Sequence, residues 1–309
     1  MTNVVEARNI SKWYKEVIGL NNFSIEVPTG ITGIVGPNGA GKSTFFKLLT
    51  GNIKTSVGEL SVLGQKPWRN PSLLAHLGFC PDYDFLPPEL DGREYLRFVG
   101  GLHGMEPGQM TTRVDEVLQI VNMAKDADRA MGGYSKGMRQ RIKIAGSLLH
   151  NPQLLLLDEP LTGTDPVIRK EIIDLIKDLH KVHGHDIIVS SHVLHEIERM
   201  THQVALIYKG RAVATGEISE IRQLMSDHPH NIVLEGKGMV ELAKVLLTKP
   251  YTTSIELRPD RTGMFVKVDR PEDFFNAIPE LVIETGCELD RMESLDDDLE
   301  SVFRYLVRW

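Results

Sequence analysis

Residues Gly36-Pro37-Asn38-Gly39-Ala40-Gly41-Lys42-Ser43 constrain this chain more than any other stretch. They match G-x-x-x-x-G-K-[ST]. The run before them, Ile31–Val35, is short, apolar and β-branched, as a buried strand requires. The run after them, Thr44–Leu49, reads as a helix that stops at Gly51. Strand, glycine loop and helix together are the context of a phosphate-binding turn. Glycine lets consecutive backbone N–H groups converge on an anion, and the new helix aims its positive end at the same point. Lys42 is then expected to reach the β- and γ-phosphates of a nucleotide, and the Ser43 hydroxyl to ligate Mg²⁺. A chance glycine turn accounts for the loop but not for both flanks.

Two further runs end where chemistry is expected. Leu154–Leu157 is a four-residue apolar run followed by Asp158-Glu159-Pro160. It reads as a buried parallel strand, and ligands sit at the carboxyl end of such strands. Asp158 is placed to hold Mg²⁺ and Glu159 to polarise a water attacking the γ-phosphate. General-base help of that kind is worth ~10²–10⁴ in rate. Asp186–Ser190 is another such strand, followed by Ser191-His192. His192 is placed to contact the γ-phosphate and to orient the water or Glu159. The plain alternatives are two solvated acids and a surface histidine, one of 11 in the chain.

Between loop and acids lies Tyr134-Ser135-Lys136-Gly137-Met138-Arg139-Gln140-Arg141, leading into the helical run Ile142–Leu149. Here the chain resembles the ATP-binding cassette (ABC) ATPases over about its first 220 residues. Ser135, Gly137, Gln140 and Arg141 fit their L-S-G-G-Q-x-Q-R signature; Tyr134, Lys136 and Met138 depart from it. The resemblance implies a P-loop NTPase fold of the α/β class: a mostly parallel sheet core, an N-terminal antiparallel β-subdomain and a helical subdomain at about 83–150. It implies that ATP contacts Gly36 to Thr44, namely Gly36, Pro37, Asn38, Gly39, Ala40, Gly41, Lys42, Ser43 and Thr44. It adds Ser135 and Gly137 of the signature and Asp165 of the D-loop Thr162–Asp165. It implies Tyr14 as the aromatic stacked on adenine, with Trp13 as a competitor and simple packing as the alternative. Asp82 stands where the family usually carries Gln at the Mg²⁺. A carboxylate can ligate Mg²⁺, although it is shorter and adds negative charge.

The resemblance also implies partners. Two cassettes pair head to tail, each ATP lying between the phosphate loop of one and the signature of the other. A homodimer is permitted because both faces occur in this chain. A separate integral membrane permease is expected to dock near residues 82–98, where Tyr83, Phe85, Leu86, Leu90, Tyr95 and Leu96 mix with acids and prolines. Asp91 is expected to cap a helix starting near Gly92. The alternative is ordinary packing of the helical subdomain.

At ~150 residues per domain, the 309 residues leave room for a second domain. The cassette is expected over 1–225 and an accessory domain over 231–309. Runs at Asn231–Glu235, Met239–Leu247, Ser254–Arg258, Met264–Val268, Pro271–Ile283 and Cys287–Arg291 read β-α-β-β-α-β, a ferredoxin-like α+β pattern. Asp269 is the expected cap of the second helix, and Pro279 its interruption. A last helix is expected from Ser294, with Leu295, Leu299, Val302, Phe303 and Leu306 on one face. This extension resembles that of exporter-type cassettes.

Composition narrows the remainder. The net charge of −7 argues against a protein whose main task is gripping nucleic acid. The local cluster Lys136, Arg139, Arg141 and Lys143 is expected to serve an interface. The polar start reads as no signal peptide, and Cys80 and Cys287 read as reduced thiols. The expectation is an ATPase driving export from the cytoplasmic side of a membrane, peripherally bound. A soluble cassette ATPase acting on a macromolecular complex, and a non-hydrolysing nucleotide sensor, are the other readings.

Overall fold

The structure, a computed structural model, describes residues 3–223 and 230–294. The chain divides into two compact units between Gly216 and Glu217. The expected boundary was residue 225.

The first unit opens with β1 (Asn3–Tyr14) and β2 (Val17–Pro28), which pair antiparallel. The hairpin closes through a two-residue turn at Lys15-Glu16. Next come β3 (Ile31–Val35), α1 (Lys42–Leu49) and β4 (Val57–Val62). β4 joins the hairpin in a three-stranded sheet of order β2-β1-β4. A short α2 (Pro71–Leu74) and β5 (Leu77–Cys80) lead into three helices, α3 (Gly92–Leu102), α4 (Pro107–Ile120) and α5 (Lys136–Leu148). The chain then runs through β6 (Leu154–Leu157), α6 (Pro166–Lys181), β7 (Asp186–Ser191), α7 (Leu194–Glu198), β8 (Gln203–Tyr208) and β9 (Arg211–Glu217).

The central sheet has order β5-β6-β7-β3-β8-β9. From β5 to β8 all neighbours are parallel. β3, β6 and the apolar part of β7 are buried throughout, which explains their unbroken apolar sequence. Their carboxyl ends carry the glycine loop, Asp158-Glu159 and His192 respectively. α1 joins the two sheets: Phe45 packs on Phe23 of β2 with ring centroids 5.0 Å apart, and Phe46 on Phe79 of β5 at 6.4 Å. Phe23, Phe45 and Phe46 are fully buried. Truncating any of them to alanine would cost about 3–5 kcal/mol, so the helix after the loop is firmly held.

In the helical part, Asp91 caps α3 as expected. Its carboxylate accepts from the Glu94 amide at 2.7 Å, and the Glu94 carboxylate accepts from the Asp91 amide at 3.0 Å. The basic cluster is tied inward. Arg141 donates to the Val121 carbonyl at 2.8 Å and pairs with Glu171 at 2.7 Å. Lys143 donates to the Tyr83 carbonyl at 3.1 Å, and Arg139 pairs with Asp84 at 2.9 Å. Three of its four cations therefore knit the subdomain. Leu96, expected on a docking face, is fully buried in the core.

The second unit contains α8 (Ile218–Gln223), β10 (His230–Lys237), α9 (Met239–Leu246), β11 (Thr252–Leu257), β12 (Gly263–Val268), α10 (Pro271–Thr285) and β13 (Glu288–Ser294). α8 falls within the span 1–225 expected for the cassette. The sheet order β11-β12-β10-β13, antiparallel throughout, is that of the split βαβ fold. Ile232, Leu234, Met264, Val266, Leu242, Phe274 and Ile278 form its own core. Two local expectations fail. Asp269 does not cap α10; its carboxylate accepts from Thr253 at 2.8 Å, and Arg270 stands at the cap with no side-chain capping bond, paired instead with Asp273 at 3.1 Å. Pro279 does not interrupt α10. Proline removes one intrahelical bond, but the burial of Phe274, Ile278 and Leu281 around it keeps the helix on its sheet. The expected last helix, from Leu295 on, lies outside the described residues. No helix among the described residues is long and apolar enough to cross a membrane.

Candidate functional site

The glycine loop follows β3 and turns into α1 through Gly41, whose φ of 112° only glycine adopts readily. The loop is braced from beneath: the Gly210 amide donates to the Ala40 carbonyl at 2.8 Å. Gly36 and Ala40 are buried, while Pro37, Asn38 and Gly39 face outward. The Lys42 ammonium, only 6% exposed, donates to the Gly36 carbonyl at 2.6 Å and lies 3.0 Å from Glu159 Oε1.

Glu159 links three side chains. Its Oε2 lies 2.8 Å from His192 Nδ1 and accepts from the Thr162 hydroxyl at 3.0 Å. Burial alone would raise the Glu159 pKa; the His192 hydrogen bond and the Lys42 charge outweigh it and hold the carboxyl below its ordinary value. Asp158 is buried. It accepts from Ser190 Oγ at 2.6 Å. Burial raises its pKa, and the Asp82 and Glu159 charges push the same way, while hydrogen bonds from Ser190 and Ser43 oppose them. Ser190 Oγ also accepts from the Glu159 amide at 2.8 Å. Lys42, Ser43, Asp82, Asp158, Glu159 and His192 are thus brought together.

Tyr14 lies at the rim. A side chain at Gly19 would meet the Tyr14 ring at 2.9 Å and Thr44 at 3.1 Å, so Tyr14 borders the start of α1. Tyr14 is 40% exposed, with the Lys12 ammonium over its ring at 5.5 Å from the centroid. Trp13 is also exposed, at 47%.

Ser135, Gly137 and Asp165 stand apart. Among the described residues no hydrogen bond or ion pair joins them to residues 36–44. Ser135 caps α5 through the Met138 amide at 3.3 Å. Gly137 makes room for α6: a Cβ there would fall 2.5 Å from Ile168. Asp165 caps α6, accepting from the amides of Val167 and Ile168, both at 3.0 Å.

The ABC transporter family model matches residues 20–162. The bacitracin transport ATP-binding protein BcrA of Bacillus licheniformis is 34% identical over 309 residues, 99% of this chain and 98% of that protein. The Nod factor export ATP-binding protein I of Cupriavidus metallidurans is 34% identical over 273 residues, 88% of this chain and 89% of its own. The chain belongs to the ABC transporter family. A solved ATP-binding subunit of an ABC transporter superposes with a TM-score of 0.64 at 26% identity, covering 72% of this chain and 93% of that one. This ABC protein is accordingly an ATP-binding subunit and an ATPase.

Sequence reasoning gave no role to Ser190, Ser191, Arg169 or Glu196, all of which contact the site's segments.

Proposed function

We propose that this ABC protein pairs with a second cassette around two Mg-ATP and drives a separate membrane permease that exports its cargo. The observation that carries the reading is the Glu159 carboxylate, held between Lys42 at 3.0 Å and His192 at 2.8 Å. Lowered in pKa, it stays ionised and can accept a proton from water. In this reading His192 orients that carboxylate, and Lys42 supplies positive charge to phosphate oxygens. Ser135 and Gly137, at the N-terminus of α5, serve the ATP held by the other cassette, where backbone N–H groups meet the γ-phosphate. Asp165, spent on its own helix cap, sets the shape of the D-loop. Tyr14 stacks on adenine.

The oxygen donors fit Mg²⁺. Among the described residues no group of three or more His, Cys, Asp or Glu is arranged to hold a metal. Mg²⁺ asks for less: one or two carboxylates with water and phosphate oxygens. Asp158, buried and bonded to hydroxyls alone, with Ser43 beside it and Asp82 facing it, is such a set. Bound there, Mg²⁺ would supply charge that neutralises the phosphates.

A groove of about 340 Å³ in the first unit supports docking of a permease segment. Tyr83, Phe85, Leu86, Tyr95 and Val99 line it, and Phe85 is 84% exposed. Leu90 and Leu96 are not part of it. The names of relatives favour export: one is a Nod factor export protein and another a daunorubicin/doxorubicin resistance protein of Streptomyces peucetius. The protein then works peripherally on the cytoplasmic side of a membrane, with no role for nucleic acid.

Two experiments test the reading. Glu159→Gln is expected to reduce ATP turnover by ~10²-fold or more while forming an ATP-dependent dimer in light scattering. A species monomeric under all conditions would refute the pairing. Tyr83→Ala with Phe85→Ala is expected to lose a co-purifying multi-span protein yet keep nucleotide binding; unchanged co-purification would discard the groove.

A further inference from the structure

Arg169 lies one turn into α6, and its Nη2 donates to the Thr164 carbonyl at 3.2 Å. Its Nε lies 3.1 Å from Glu196 Oε1. Glu196 is buried on α7, 6% exposed. Its second oxygen accepts from Ser191 Oγ at 2.7 Å. Ser191 Oγ in turn accepts from the Val193 amide at 3.0 Å, closing the turn that presents His192. A polar path therefore runs from the segment Thr162–Asp165 through Arg169, Glu196 and Ser191 to the ring that touches Glu159.

A buried carboxylate is costly unless paired, and an apolar side chain would fill the same space on α7 at less cost. Its neighbours Leu194 and Ile197 do so. The pair gains direction instead: two oxygens of one carboxylate fix two separate segments. We propose that Arg169 and Glu196 are positioning residues that lock the His192 turn to the segment 162–165, so that a shift of that segment changes how His192 meets Glu159. The inference rests on the reading of Glu159 and His192 as the hydrolytic pair.

The test uses the full chain. ATP turnover, ATP affinity by fluorescence titration and thermal unfolding are measured for Arg169→Met, Glu196→Gln, Ser191→Ala, the Arg169→Met/Glu196→Gln double variant and Arg169→Lys. Misplacing a reacting group by about 1 Å costs on the order of 10²-fold. Each single change to Met, Gln or Ala is therefore expected to lower kcat between about tenfold and about 10²-fold, with ATP affinity within about twofold of wild type. The double variant is expected to be no slower than the slower single variant, because both act through one path. Arg169→Lys, which keeps the charge but not the fork, is expected to fall between. Unchanged kcat, additive losses in the double variant, or affinity lost in step with kcat would each overturn the proposal. Should Glu196→Gln lose its cooperative unfolding transition, Arg169→Met and Ser191→Ala decide by the same criteria. Absence of turnover in the wild type would instead remove the hydrolytic reading and this proposal with it.

Discussion

Glu159 has a φ of 49°, in the left-handed region, although it carries a Cβ. Such a conformation costs about 1–2 kcal/mol and persists only where neighbours impose it. Ser190 is one of them: its hydroxyl accepts a hydrogen bond from the Glu159 amide and donates one to Asp158. One buried hydroxyl thus sets both acids. Ser190→Ala is expected to lower turnover and to cost about 1–3 kcal/mol, because it strips partners from two buried groups. ATPase assay and urea denaturation check the two halves. Lys42 was legible in the sequence because it completes the glycine-loop motif, and Asp158, Glu159 and His192 because each lies just past an apolar run that reads as a buried strand. Ser190, Arg169 and Glu196 were not, because contacts such as Ser190 with Asp158 join residues that no local pattern connects.

At the level of elements, legibility followed burial. β3 and β6 occur where their apolar runs stand. The outer ends of β1 and β2 carry Trp13, Tyr14 and Val17, all exposed, so no alternation marked them. Asp91 declared the start of α3 because its partner Glu94 is local. Asp269 misled because a residue across the sheet, Thr253, claims its carboxylate. The cap gives a direct test: Asp91→Ala is expected to cost about 1 kcal/mol and Asp91→Ser to be close to neutral, read as a shift in denaturation midpoint at unchanged slope.

For the molecule as a whole, pH should tell on stability through histidines. His150 donates from Nε2 to the Leu77 carbonyl at 2.9 Å, which leaves Nδ1 bare and buried. It stacks on His103 with centroids 4.0 Å apart. Burial, then the His103 charge, lowers the His150 pKa from 6.5 to about 4. Burial also lowers those of His103 and His185. The unfolded chain therefore binds protons in that window that the folded chain refuses. Stability is full above pH 6.5 and falls as pH drops toward 4. Glu159, held below 4.5, adds stability that is full above that value and is lost only as pH falls below it. Melting temperature followed from pH 7.5 to 4.5 is expected to decline, and His150→Gln to decline less.

The contact of Lys42 with Glu159 has a consequence for how affinities are interpreted. In the proposed reading a phosphate oxygen comes to the same ammonium that this carboxylate holds at 3.0 Å, so the protein carries an internal rival to its own ligand. Nucleotide binding is then an exchange of one anion for another at a single ammonium. Glu159→Gln removes the rival together with the base, so a tight complex of that variant reflects lost competition as well as lost turnover.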